Sequence, residues 1–258
     1  MSGLVEGYNK RDFDTGPATY TDAVFFGKII DGLQLNRLSK GAVVADLMSG
    51  PGKVGLAIQE SFPNLQYVFV DFAEKQLEKI PNTENWRVGA DVRDLPFAAY
   101  SLDRAVARYS IKDLTVNDQP QVLQQIYDSL KLGGIISIAD MVSPSEQTKD
   151  WLNEQHSLKQ VFSGRKPEVE GLCHIPTKQE WIQLLTEAGF KAEVGGYHMS
   201  FVSTTDWLKG KQVTEEQLCQ LDDMILGAPV EAQEAFNIRE EDGLVKIDYP
   251  VILLKGRK

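Results

Sequence analysis

Three aspartates offer the clearest chemistry in this sequence. Asp46, Asp71 and Asp91 each come at or just after the end of a short apolar run, at 42–46, 67–71 and around 86–89. A carboxylate in such a place repels phosphate, but it holds an ammonium group or accepts from hydroxyl and amino hydrogens. Asp46 is followed by Met48-Ser49-Gly50-Pro51-Gly52-Lys53-Val54-Gly55. The glycines of this turn let backbone approach a ligand closely, and the helix that follows presents unpaired N–H groups. A base near neutral pKa could come from His156, His174 or His198, of which His156 and His174 are the stronger candidates by position, and Tyr109 could orient a substrate. Asp140 also ends an apolar run, but no Asp-Asn pair follows where a metal site would need one, so no metal is expected.

The elements that carry these residues follow from periodicity. A helix from Thr21 has Phe25, Phe26, Ile29, Ile30 and Leu33 on one stripe. Strand and helix then alternate five times, with strands at 42–46, 67–71, around 86–89, 104–107 and 135–139. The intervening helices start after Gly52, at Glu74 and near Asp118 and Pro120, the last ending at Gly133-Gly134. Such alternation predicts a doubly wound parallel sheet whose strand C-termini share one edge, where ligands of open α/β sheets bind. Ser143 and Thr177 read as caps of two further helices. A sixth strand is expected over about 192–202 and a last one at 249–254. The 204–243 segment between them contains a capped helix at 214–226. Residues 1–20 read as polar and irregular, either an exposed tail or a segment folded over a ligand. The chain is thus one domain over 1–258, with an N-terminal helical cap at 1–40, a lid at 143–175 and an insertion at 204–243.

The totals set limits. A chain of 258 residues with 42% hydrophobic content can bury a substantial core. A net charge of −10 argues against a nucleic-acid partner, whose phosphates need clustered Lys and Arg. Two cysteines, Cys173 and Cys219, are too few for a disulfide framework. The opening residues are polar and no apolar run reaches the ~20 residues of a membrane span, so a cytoplasmic location is the default.

Gly50, Gly52 and Gly55 match the G-x-G-x-x-G dinucleotide fingerprint, with Asp71 about 20 residues on. Asp46, however, sits where a pyrophosphate would approach. S-adenosylmethionine brings an ammonium and a sulfonium and no phosphate. Asp71 could then accept from ribose hydroxyls and Asp91 from an adenine amino group.

The ordered segments VVADLMSGPG (43–52), VDFA (70–73), ADVRDLPF (90–97) and LKLGG (130–134) resemble class I S-adenosylmethionine-dependent methyltransferases. Among those, the likeness is greatest to the small-molecule group that includes the ubiquinone- and menaquinone-pathway enzymes, and it covers roughly residues 40–202. The resemblance implies a mostly parallel, seven-stranded Rossmann-like sheet with an antiparallel last strand and helical lid insertions. It implies that Asp46, Met48, Gly50 and Gly52 line the methionine end and that Asp71 and Phe72 hold the ribose and flank the adenine. Asp91 and Val92 would read the adenine edge, and the backbone near Arg108 would meet the amino acid moiety. Met48 stands where the family usually has its first glycine, and Pro51 also departs from the pattern. The expected reaction is in-line methyl transfer to an O, N or C nucleophile of a small molecule, by a monomer or a homodimer. Two alternatives are a protein that binds S-adenosylmethionine without transferring its methyl group and an NAD-dependent oxidoreductase.

Overall fold

The computed structural model describes residues 3–12, 22–81, 85–211 and 213–258. Its centre is an eight-stranded sheet, with β1 at Val43–Leu47, β2 at Gln66–Asp71, β3 at Trp86–Gly89 and β4 at Leu102–Arg108. Strands β5 (Leu130–Met141), β6 (Lys191–Ser203), β7 (Arg239–Glu241) and β8 (Leu244–Arg257) complete it. The main order is β3-β2-β1-β4-β5-β8-β6, with β1 to β5 parallel and β8 antiparallel to both β5 and β6. The doubly wound reading therefore holds, and the three-residue β7, paired only to β8, adds one strand to the seven expected.

The helices are α1 (Gly3–Lys10), α2 (Ala23–Leu33), α3 (Lys53–Ser61), α4 (Glu74–Leu77), α5 (Asp118–Ser129) and α6 (Glu146–Phe162). They continue with α7 (Pro167–Glu170), α8 (Lys178–Glu187), α9 (Thr204–Leu208), α10 (Glu215–Leu226) and α11 (Val230–Ala235). The pleat sorts the core into two layers. Ala45, Leu47, Val68 and Val70 face α5 and α8, whose Val122, Leu123, Ile126 and Trp181 are fully buried. Val44 and Phe69 face α2 and α3, where Phe25, Ile29, Leu33 and Ile58 are fully buried. Each such side chain stabilises the fold by about 1.5–3 kcal/mol.

A third apolar cluster joins Trp151 and Leu152 of α6 to Trp207, Leu221, Ile225 and Phe236 and to Val245, Ile247 and Tyr249 of β8. The 204–243 insertion thus shares a core with the α6 segment above the sheet edge.

Several boundaries differ from the sequence reading. Residues 3–10 form a helix, although only Leu4 and Val5 there are aliphatic. Thr21, Phe13, Tyr20 and the Gly16-Pro17 turn lie outside the described residues, and α2 is capped by Asp22, which accepts from Phe25 N. The helix after Asp118 ends at Ser129, not at Gly133-Gly134, because strand pairing to β4 begins at Leu130. Gly133, at φ +77°, lies inside β5, where its N–H donates to Lys258 O. The cap of α6 is Ser145, which accepts from Thr148 N, while Ser143 Oγ donates to Ser145 O. The capping box at Thr177 and the helix cap at Thr214 form as the sequence predicts, the latter also as a capping box with Gln217.

Candidate functional site

A cavity of about 360 Å³ opens at the C-terminal edge of β1, β2, β4 and β5. One half is walled by the turn after β1 (Met48 to Pro51), by Asp71 and Phe72 after β2, by Asp91 and Val92, and by Arg108. The other half is walled by α1, by the loop after β4, by α6 and by the segment after α9.

The turn after β1 is held by its own amides. Ser49 N donates to Val70 O at 3.0 Å, and Gly52 N donates to Ser49 O at 2.9 Å. Gly50 N donates to Asp71 Oδ2 at 2.7 Å and Gly55 N to Asp46 Oδ2 at 2.8 Å. Gly52 (φ +77°) caps α3, and a Cβ on Gly55 would lie 2.4 Å from the Phe69 ring. These two positions have no room for a side chain. Met48 follows the same left-handed path at φ +53°, which costs a non-glycine residue about 1–2 kcal/mol. Tyr109 at the end of β4 is also left-handed, at φ +51°. Two strained residues therefore border one cavity, as is common at functional sites.

The three strand-end acids do different jobs. Asp71 is buried, its Oδ2 on Gly50 N and its Oδ1 on Ala73 N at 2.8 Å, and it lines the cavity. Burial raises its carboxyl above the ordinary range, against the pull of those two bonds. Asp91 also lines the cavity and is bound by Arg93 through Nε at 3.0 Å and Nη2 at 2.6 Å. Burial pulls its carboxyl up, and the Arg93 bonds outweigh that and leave it below the ordinary value. Asp46 does not line the cavity. It turns to the start of α3, and burial raises its carboxyl to about 7. Gly52 is likewise behind the wall, whereas Met48, Gly50, Phe72, Val92 and Arg108 are on it.

This arrangement decides between ligand classes. A diphosphate needs free backbone N–H groups at the glycine turn. Here the Ser49, Gly50, Gly52 and Gly55 amides are all spent within the protein, Gly50 N on the Asp71 carboxylate at the cavity wall. An adenosyl amino acid fits: carboxylate oxygens with lone pairs to spare for hydroxyls, Phe72 and Val92 as apolar walls, and no demand for phosphate donors.

Residues 44–134 match the family model described as a methyltransferase domain. Over these residues the chain is similar to class I S-adenosylmethionine-dependent methyltransferases. Demethylmenaquinone methyltransferase of Chlamydia caviae is 29% identical over 140 residues, covering 53% of this chain and 58% of that protein. The Chlamydia felis protein of the same name is 29% identical over 189 residues, covering 67% of this chain and 81% of the relative. The match to the first of these thus spans less than two thirds of its length. Among solved structures, YcgJ of Bacillus subtilis superposes with a TM-score of 0.78 at 16% identity, covering 92% of this chain and 99% of that one. At such identity the likeness is one of fold. S-adenosylmethionine is the cofactor of this domain family.

The second half of the cavity centres on Asp113. Its Oδ1 accepts from Lys112 Nζ at 2.7 Å, from His156 Nε2 at 2.8 Å and from Gln160 Nε2 at 2.8 Å, and its Oδ2 from Tyr8 Oη at 3.1 Å. Burial alone would raise this carboxyl, but Lys112 and His156 hold it well below the usual range. Burial pushes the Tyr8 phenol up to about 12. His156 is fully buried and kept neutral, so Nε2 carries the proton given to Asp113, and His156 stands behind the wall, against Asp113, Gln160 and Trp207. Tyr109 lines the cavity. His174 is half-buried beside Glu180 and Lys149, away from the wall, and His198 stacks on Phe25 with ring centroids 4.4 Å apart. Asp140 accepts from Ser110 N and Lys112 N, at 3.0 and 3.1 Å, and so shapes the loop after β4.

Asp113, His156 and Cys173 bring ligand atoms within 4.8 Å of one another. The Arg165 Nη1 atom lies 3.1 Å from Cys173 Sγ and Lys112 Nζ 2.7 Å from Asp113, so two cations already occupy the surroundings a metal ion would need.

Sequence reasoning missed Lys112, Asp113, Lys159 and Lys211 on this wall. Of the N-terminal segment, Tyr8 and Arg11 line the cavity, which fits a segment folded over a ligand and not an exposed tail. No local pattern marks the lysines, because a charged side chain is by default a surface one.

Proposed function

We propose that the protein transfers the methyl group of S-adenosylmethionine to a small-molecule acceptor seated beside it in the same cavity. The observation that carries this reading is the Asp71–Gly50 bond, which turns the glycine turn from a phosphate cradle into a support for a carboxylate. Asp71, Phe72, Asp91 and Val92 would hold the adenosine part. Met48, Gly50 and the backbone at Arg108 would meet the amino acid part. When bound, the cofactor supplies an electrophilic methyl on a sulfonium.

The chain's own residues then have to orient the acceptor and keep water out. A nucleophile held in line at ~3–3.5 Å from the carbon gains most of what positioning can offer. Tyr109 stands between the two halves of the cavity, and the Trp207 and Met141 side chains give the acceptor half apolar wall. Asp113 spends its oxygens on Lys112, His156, Gln160 and Tyr8, and so fixes the Tyr8 hydroxyl and the Lys112 ammonium on the wall of the acceptor half. Its depressed pKa makes it a poor base.

The curated relatives named as demethylmenaquinone methyltransferases support a small organic acceptor. Among the described residues no helix is long and apolar enough to cross a membrane. With a net charge of −10, nucleic acid is a poor partner, and a cytoplasmic enzyme, alone or as a homodimer, fits best. The test is incubation with methyl-labelled S-adenosylmethionine and a panel of acceptors. Labelled product supports methyl transfer. S-adenosylhomocysteine binding with no product from any acceptor points to a binding protein without transfer.

A further inference from the structure

We propose that the acceptor half of the cavity takes an anionic group, a carboxylate or a phosphate, on Lys159, Lys211 and Arg11. That the bearer of this group is the methyl acceptor rests on the reading above. The anion site itself stands on its own residues.

A chain with a net charge of −10 lines this cavity with nine basic against six acidic side chains. Four of the six acids are placed elsewhere. Asp71 serves the glycine turn, Asp91 and Asp118 face Arg93, and Glu170 accepts from Lys166 N in its own turn. Asp12 is exposed at the rim. Asp113 is the acid that acts on Lys159 and Lys211, and its oxygens already receive Lys112, His156, Gln160 and Tyr8.

Among the described residues Lys159, Lys211, Arg11 and Arg165 have no carboxylate of this kind on them. Lys159 of α6 is 4% exposed, with Nζ 3.6 Å above the Trp207 ring, an attraction worth far less than a counter-ion. Among the described residues neither Lys159 nor Lys211 has a carboxylate oxygen within 4.0 Å. Arg11 gives one Nη2 bond to Gln160 Oε1 at 3.0 Å, and its buried Nε has no hydrogen-bond partner. Arg165, buried behind them, spends its guanidinium on the carbonyls of Asp113, Glu170 and Gly171 and on Cys173 Sγ, with no carboxylate.

Burial and mutual repulsion press both lysines well below their ordinary pKa, Lys159 against Lys211 and Lys112, and Lys211 against Arg11. A buried cation without an anion costs several kcal/mol. An arriving carboxylate or phosphate removes that cost, so ligand and proton bind together.

Phenyl phosphate, benzoate and neutral phenol, titrated calorimetrically into the whole protein saturated with S-adenosylhomocysteine, test this. At least one of the two anions should bind tenfold or more tightly than phenol, and which one identifies the group as phosphate or carboxylate. Lys159→Met and, separately, Arg11→Gln should each lower that affinity by tenfold or more without lowering affinity for phenol. Equal binding of all three probes, or unchanged anion affinity in both variants, would overturn the proposal. Retained S-adenosylhomocysteine binding in the same samples keeps that failure distinct from failure of the cofactor reading.

Discussion

Asp71 Oδ2 accepts the backbone N–H of Gly50 at 2.7 Å, which ties the end of β2 to the turn after β1. Its other oxygen takes Ala73 N, so one buried carboxylate braces two loops that wall the same cavity. In Asp71→Asn the amide NH₂ must face one of those two N–H donors. We expect S-adenosylhomocysteine affinity to fall tenfold or more, about 1.4 kcal/mol, by calorimetry. Unchanged affinity would remove Asp71 from the cofactor wall.

Asp46 gives the contrasting result. With its carboxyl raised to about 7, the folded state holds a proton that the unfolded chain gives up near pH 4. Its contribution to stability is full below about pH 4 and is lost as pH rises through 7. The loss is on the order of 4 kcal/mol at 1.36 kcal/mol per pH unit. Asp46→Asn keeps an acceptor for Gly55 N and should be the more stable protein at pH 8 by urea denaturation. Because Asp46 is off the cavity wall, S-adenosylhomocysteine affinity should stay within about threefold, a change below that of one lost hydrogen bond.

His156 works in the opposite sense. Its folded pKa lies well below 6.5, chiefly through burial, with Lys159 and Lys112 adding to it. The stability it contributes is present above pH 6.5 and is lost as pH falls towards the folded value. His156→Gln retains a donor for Asp113 and should flatten the fall in denaturation midpoint between pH 6.5 and 5. An acid limb as steep as in the wild type would mean that His156 is not held neutral.

At Met48 the left-handed backbone sets the expectation. Met48→Gly relieves a conformational cost of about 1–2 kcal/mol, partly offset by the greater freedom of glycine in the unfolded chain. A stability equal to or above wild type is expected. Met48→Val, β-branched at φ +53°, should lose about 1–3 kcal/mol. Equal midpoints for the two variants would show the turn to be unstrained.

The alternation of apolar runs and helical stripes made the parallel sheet and its ligand edge readable from residue types alone. The division of labour among strand-end acids was not. Asp46 and Asp71 end similar apolar runs, and they part according to which amides each accepts, Gly55 for Asp46 and Gly50 with Ala73 for Asp71. Gly133-Gly134 looked like a helix stop, yet α5 had already ended at Ser129, where Leu130 pairs with Leu102 of β4. Helix α1 carries its Tyr8 against Phe72 and Asp113, contacts with distant residues that its own short sequence does not record. Lys112 and Lys159 are buried by tertiary packing that no local signal announces.

The position of β8 has a consequence for how the chain is made. It comes last in the order of the strands, yet it lies between β5 and β6 and supplies hydrogen bonds to both. During synthesis from the N-terminus, β6 has no neighbour to pair with, and the open flank of β5 stays bare, until β8 emerges. The nascent protein therefore carries two unmatched strand edges from the completion of β6 at Ser203 until β8 begins at Leu244, and closure of the sheet is a late, single event that welds both sides at once.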